Sequence, residues 1–231
     1  MRVEEELNKA GNNEKAKFLA RYFKTGKGEY GEGDVFIGLT VPQVRAIAKK
    51  YRDLPLSDVE KLLHSKIHEF RLTALLILCA KFEKAAEQER KKIVALYLRN
   101  TAHINNWDLV DLSSHEILGT FLLHKSRNIL YTLAKSKNIW ERRIAVISTF
   151  AFLRDNDTSD SIVLADLLLH DTHDLMHKAV GWMLRETGKR DGKILVDYLS
   201  TRYKTMPRTM LRYAIEKFPP STREKYLKGT I

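Results

Sequence analysis

Residues 68–85 read HEFRLTALLILCAKFEKA, and apolar side chains recur through them at i, i+3, i+4 and i+7, with charges gathered toward the two ends. That pattern predicts a long helix. Two more stretches have the same form: NIWERRIAVISTFAFLRD at 138–155 and HDLMHKAVGWMLRETGKR at 173–190. No proline occurs between Pro55 and Pro207, and glycine is scarce after Gly38, so this span lacks the punctuation that β structure requires. The fold class is therefore all-α.

The long helices recur at a nearly fixed step. Aligned on Ala74, Leu109, Ala145, Ala179 and Ala214, they follow one another at spacings of 35, 36, 34 and 35 residues. A shorter helical segment lies between each pair, at 86–99, 126–136, 158–169 and 191–203. Helix pairs stacked in this way make an α-solenoid, a curved superhelix whose concave, basic face suits an extended partner. The W-x2-L-G-x2-Y signature of tetratricopeptide repeats is missing, and HEAT-like is the better label. Single-domain organisation is expected over 1–231, with N-terminal helices in 1–24, a loop in 25–40 and stacked repeats in 41–231. Pro42, just after Thr40 and Val41, sits well in the first turn of a helix running to about Tyr51. The stretch TGKGEYGEGDVFIG at 25–38 holds five glycines and three acids, which predicts a surface loop. It lacks the spacing of a phosphate-binding loop, and no strand precedes it.

A net charge of +11 suggests a polyanionic partner, because clustered cations release counterions from phosphates. The excess is uneven: residues 178–231 carry 13 Lys/Arg against 5 Asp/Glu. In this region Lys204, Arg208, Arg212 and Lys217 are candidates for a phosphate track, with Arg208 and Arg212 on one side of a helix. The single cysteine, Cys79, excludes a disulfide framework and reads as core filler in a reducing compartment. The acidic start MRVEEELNKAGNNEKAK has neither the basic opening nor the apolar core of a signal peptide, and no apolar run approaches the length of a membrane helix. A soluble, cytoplasmic protein with no membrane partner is expected.

Candidate chemistry concentrates in NNWDLVD at 105–111. Trp107 and Asp111 stand at i and i+4 and share one side of a helix, while Asp108 turns elsewhere. Two residues before each anchor stand Leu72, Trp107, Arg143, His177 and Arg212, a column on one face of the repeats, and Trp182 follows Ala179 by three. An indole face attracts a positively charged purine, a carboxylate stabilises an oxocarbenium-like sugar, and an arginine holds a phosphate. Each residue also has an ordinary reading, the tryptophans as core and the aspartates as favourable charges in a helix's first turn.

Taken together, ARYFK at 20–24, GLTVPQVR at 38–45, NNWDLVD at 105–111, NIWERRIAV at 138–146 and AVGWMLRE at 179–186 are collinear, and the chain resembles the AlkD-like DNA alkylation repair family. These are alkylpurine DNA glycosylases with HEAT-like repeats. The resemblance implies hydrolysis of the N-glycosidic bond of N3- and N7-alkylated purines in double-stranded DNA, as a step of base excision repair, without metal, cofactor or covalent lyase intermediate. It assigns the carboxylate to Asp111, the lesion-facing indoles to Trp107 and Trp182, and a backbone-gripping arginine to Arg143. Tyr22 matches an aromatic near the DNA-binding cleft, and Thr40, Arg142, Lys204, Arg208 and Arg212 complete the expected DNA contacts. It departs from the family in its longer, more acidic EYGEGD loop and in Thr40, which stands where a longer polar residue is found. A monomer acting without an obligate protein partner is expected.

A non-catalytic helical-repeat module that binds nucleic acid or protein is the alternative. Asp111 discriminates, since a surface facing phosphates gains nothing from a carboxylate between indoles. A repeat-by-repeat RNA reader fits less well, because the column from Leu72 to Arg212 shows no regular base-reading position. The pairs His64/His68 and His173/His177 have metal-compatible helical spacing but lack a third ligand, and Ser113 and Ser114 beside His115 lack a triad context.

Overall fold

In the computed structural model, which describes every residue from Met1 to Ile231, the stretch at 68–85 forms a 17-residue helix, and no strand forms anywhere. A lone parallel bridge joins Val35 to Ile67. Contacts gather into two units, Met1–Ile117 and Leu118–Ile231.

The first unit comprises α1 (Arg2–Ala10), α2 (Asn13–Tyr22), α3 (Val41–Lys50), α4 (Leu56–Leu63), α5 (His68–Lys84), α6 (Glu87–Arg99), a 3₁₀ turn at Thr101–His103 and α7 (Trp107–Asp111). Helix α5 is its hub, with α1, α3, α4, α6 and α7 all packed against it. An apolar surface on every side suits that place, and the whole run from His68 to Leu78 is buried. Helix α3 starts where Pro42 predicts, capped by Thr40, whose amide and hydroxyl both donate to Gln43 Oε1 at 2.9 and 2.8 Å.

The second unit comprises α8 (Thr120–Leu122), α9 (Asn128–Ala134), α10 (Ile139–Arg154), α11 (Ser159–Leu167), α12 (Asp174–Arg190), α13 (Gly192–Arg202), α14 (Arg208–Ala214) and α15 (Pro220–Lys228). Helices α10, α12 and α14 lie side by side in a row, and α9, α11 and α13 fill the alternate layer. Helices α12 and α14 approach each other closely. A Cβ at Gly181 would lie 2.5 Å from the Met210 carbonyl oxygen, so only glycine lets the two backbones meet there.

The five anchors Ala74, Leu109, Ala145, Ala179 and Ala214 are all 0–1% exposed, and the four shorter segments appear as α6, α9, α11 and α13. The step of about 35 residues thus recurs through both units, but the long helices expected at Leu109 and Ala214 are short, five residues in α7 and seven in α14. One expectation needs correcting. The stretch 25–38 is not simply a surface loop: after turns through Gly28 and Gly33, Asp34 and Phe36 are buried in the first unit. Gly38, at φ +87°, carries the chain past the Asn12 carbonyl, where a Cβ would lie 2.0 Å away. Cys79 is half-buried, its thiol directed at the Leu112 carbonyl 3.7 Å away.

Candidate functional site

Helix α7 is only five residues long, too short to hold its own shape in water, and two side-chain contacts fix its first turn. Asn106 caps it, accepting from the Trp107 amide at 2.9 Å. Asp108, read from sequence as turning away from Trp107 and Asp111, is buried and accepts from His68 Nε2 at 2.8 Å. With those two residues held inward, Trp107 and Asp111 both border a cleft of about 430 Å³ that is almost wholly apolar apart from carboxylates. Tyr22 and Thr40 border it too, so four of the residues singled out from sequence come together within the first unit.

The aromatic wall is continuous. Trp107 stacks on Phe23 at 5.1 Å between ring centroids, Phe23 on Phe36 at 5.0 Å, and Phe36 on the imidazole of His68 at 4.5 Å. Tyr22, more than half exposed, meets the Trp107 indole edge-on at 6.1 Å and stacks with exposed Phe18 on the next turn of α2. Faces of this kind, with carboxylates nearby and little water between, attract a flat, positively charged heterocycle.

Behind the wall lies an ionic cluster that the sequence reading did not foresee. His68 is 2% exposed, with Nδ1 3.2 Å from Asp34 Oδ2 and Nε2 facing Asp108, so the doubly protonated ring donates on both sides. Burial works against the charged ring, but the adjacent Asp108 carboxylate and the hydrogen bonds to Asp108 and Asp34 outweigh it and lift His68 from 6.5 to about 9. Burial likewise raises Asp34, yet His68, Arg71 Nη2 at 2.6 Å and Asn106 Nδ2 at 3.2 Å hold its carboxyl below the ordinary range. Next door, Glu69 accepts from the backbone amides of Ile37, Gly38 and Leu39 at 2.8–3.2 Å and so ties the loop to α5. One half of this had a visible signal: a histidine, a glutamate and an arginine within four residues at the start of an apolar helix can be buried only if each finds a partner, although nothing local names Asp34 or Asp108 as that partner.

The remaining candidates belong to the second unit. Trp182 is half-buried, its indole N–H donating to Glu186 Oε1 at 3.2 Å and its ring 5.9 Å from Phe150. Arg143 is buried, with Nη1 donating to the Leu175 carbonyl at 2.5 Å. Arg142, expected to reach DNA, instead binds within the unit: Nε donates to Asp171 Oδ2 at 2.7 Å, and Nη1 to the carbonyls of Ser136 and Lys137 at 3.0 and 3.1 Å. The start of α10 offers these carbonyl acceptors, and a planar guanidinium satisfies several at once. Lys204, Arg208 and Arg212 are exposed, Lys204 over the Tyr203 ring and Arg208 donating to the Leu227 carbonyl at 2.6 Å. Of the histidine pairs, His64 lies against His103 and bonds Asn100, while His173 and His177 both bond within the turn at Asp171.

A family model described as "DNA alkylation repair enzyme" matches residues 3–218. Among solved structures, a protein described as a predicted DNA alkylation repair enzyme from Enterococcus faecalis is similar, with a TM-score of 0.70 over 91% of this chain and 97% of that one. At 18% identity, that likeness speaks for the fold alone. A comparison with curated protein sequences finds no match. The all-helical repeats and a family match over nearly the full length agree, and the chain belongs to the DNA alkylation repair enzyme family.

Proposed function

We propose that the protein is a monofunctional DNA glycosylase that hydrolyses the N-glycosidic bond of N3- and N7-alkylated purines in double-stranded DNA. One observation carries the reading beyond the family: Trp107 and Asp111 line the same apolar cleft, with Tyr22 at its edge. Alkylation leaves the purine positively charged, so the base departs with the electron pair of its bond to C1′ and becomes neutral, with no acid needed to protonate it. The sugar left behind is oxocarbenium-like. Asp111 stabilises that charge and orients a water, whose oxygen bonds to C1′ while its proton passes to the carboxylate. Trp107 holds the cationic base against its face.

In the second unit, Trp182 keeps the lesion-facing role that the resemblance implies, whereas Arg143, buried and already donating to the Leu175 carbonyl, is not proposed to grip the DNA backbone. Tyr22, Thr40, Lys204, Arg208 and Arg212 add DNA contacts, their cations fixing position without reading sequence. Arg142 drops out of that set because its guanidinium is already bonded to Asp171 and two carbonyls. The reaction draws on no cofactor, and the protein acts as a cytoplasmic monomer without a protein partner.

The test is release of 7-methylguanine and 3-methyladenine from alkylated duplex DNA in the presence of a chelator. Asp111→Asn is expected to lower the rate by a factor on the order of 10²–10³ while DNA binding persists. Tight DNA binding by the native protein with no base release defeats the glycosylase reading in favour of a non-catalytic module.

A further inference from the structure

We propose that His68 is a positioning residue for the site: by bridging Asp34 and Asp108 it fixes the first turn of α7 and so sets where Trp107 and Asp111 stand in the cleft. The activity part of this inference rests on the glycosylase reading; the geometric part does not.

Four observations carry it. Helix α7 has five residues, and its N-terminal residues are held by one cluster, Asp108 through His68 and Asn106 through Asp34. The cluster holds two cations, His68 and Arg71, against two anions, Asp34 and Asp108, all buried, so each charge depends on its partners. Asp108 Oδ1 is buried with no hydrogen-bond partner, so His68 supplies the hydrogen bond that keeps that carboxylate inside. Finally, Asp108 lies between Trp107 and Asp111 in sequence and borders the same cleft. If the bond to His68 is lost, the shortest route by which this carboxylate regains solvation is outward into the cleft, which rotates α7 and displaces both neighbours.

The groups facing His68 are few. Asp34 comes from the loop, Asp108 from α7 and Arg71 from its own helix, while Phe23 and Phe36 cover its ring without titrating. Below about pH 9 the ring is charged and donates to both carboxylates; above it one nitrogen stops donating and one carboxylate loses its partner.

The experiment follows two signals in the native protein, His68→Gln, Asp108→Asn and the His68→Gln/Asp108→Asn double variant. The first is the indole N–H resonance of Trp107, assigned by its loss in Trp107→Phe. The second is base release from alkylated duplex DNA across pH 6–10. In the native protein the indole resonance is expected to move with an alkaline midpoint, and His68→Gln to abolish that step. Base release by His68→Gln at pH 7 should fall about 30-fold with KM for DNA changed less than about 3-fold, and the double variant, a neutral hydrogen-bonded pair, should recover most of the loss. An unmoved indole resonance together with unchanged release in His68→Gln overturns the proposal. If that variant unfolds, Asp108→Asn, which preserves shape, decides by the same two signals. A native protein that releases no base sinks the glycosylase reading alone, and the indole titration then decides the positioning role by itself.

Discussion

The chain enters α5 and α10 through turns built alike, and only one of them leads to an ionic cluster behind a cleft. Ser65 Oγ accepts from the Ile67 amide at 3.0 Å, and Arg71 Nη1 returns to the Ser65 carbonyl at 2.9 Å. Ser136 Oγ accepts from the Asn138 amide at 3.0 Å, and Arg142 Nη1 returns to the Ser136 carbonyl at 3.0 Å. Each arginine then reaches one aspartate. For Arg142 that aspartate is Asp171, which opens the next turn in the row and accepts from the His173 amide, so the bond links one repeat to its successor. For Arg71 it is Asp34, which belongs to no repeat and arrives on the inserted loop. Position 68 is histidine where the corresponding position before Arg142 is Ile139, so the extra carboxylate meets a second cation and, through it, Asp108. The repeat thus supplies a structural arginine, and the loop converts it into part of a site.

Removing each aspartate breaks this comparison where the difference is greatest. Asp34→Ala leaves two buried cations sharing one carboxylate, and an uncompensated buried charge costs about 3–5 kcal/mol. Asp171→Ala leaves Arg142 with its two carbonyl acceptors and partial exposure to water, so about 1–2 kcal/mol is expected, nearer the value of a charged hydrogen bond. Urea denaturation followed by tryptophan fluorescence measures both. Equal losses would mean that the loop's carboxylate is no more deeply committed than the repeat's own.

Raising the pH sharpens the same contrast with a smaller effect. The pKa of His68 is raised in the folded state, so the stability it contributes is fully present below about pH 6.5 and is lost as pH rises through about 9. Between pH 7 and 10 the native protein should therefore lose more stability than His68→Gln does. Asp171→Ala keeps His68 and both of its carboxylate partners, so it should follow the native curve, offset but parallel. Denaturation midpoints at several pH values give the comparison, and parallel curves for native and His68→Gln would show that the ring is not charged when folded.

This contrast also marks what the sequence discloses. The helices of both units were legible because their signal is local: apolar periodicity within 17 residues and a repeat of about 35 that brings Ala74 and Ala145 to equivalent buried places. Trp107 and Asp111 were legible as a pair because helical spacing alone puts them on one side. His68, Asp34 and Asp108 were not, because their partners lie 34 and 40 residues apart and one of them sits in a glycine-rich loop with no periodicity. Arg142 misled for the opposite reason. A basic residue beside Arg143 in a basic protein suggests DNA, and only the geometry shows that Ser136, Lys137 and Asp171 already take up its donors.

The smallest effect tests whether the two turns are the same device at all. Ser65→Ala and Ser136→Ala each remove one hydroxyl that accepts a backbone amide at the start of a long helix, a loss of about 1 kcal/mol. Because neither hydroxyl touches a charge in the cluster, the two losses should agree within about 0.5 kcal/mol, and each should add independently to the effect of His68→Gln. A Ser65→Ala loss well above its counterpart, or one that shrinks in the His68→Gln background, would place Ser65 within the ionic cluster, making the cluster an extension of the turn and not an addition carried in by the loop.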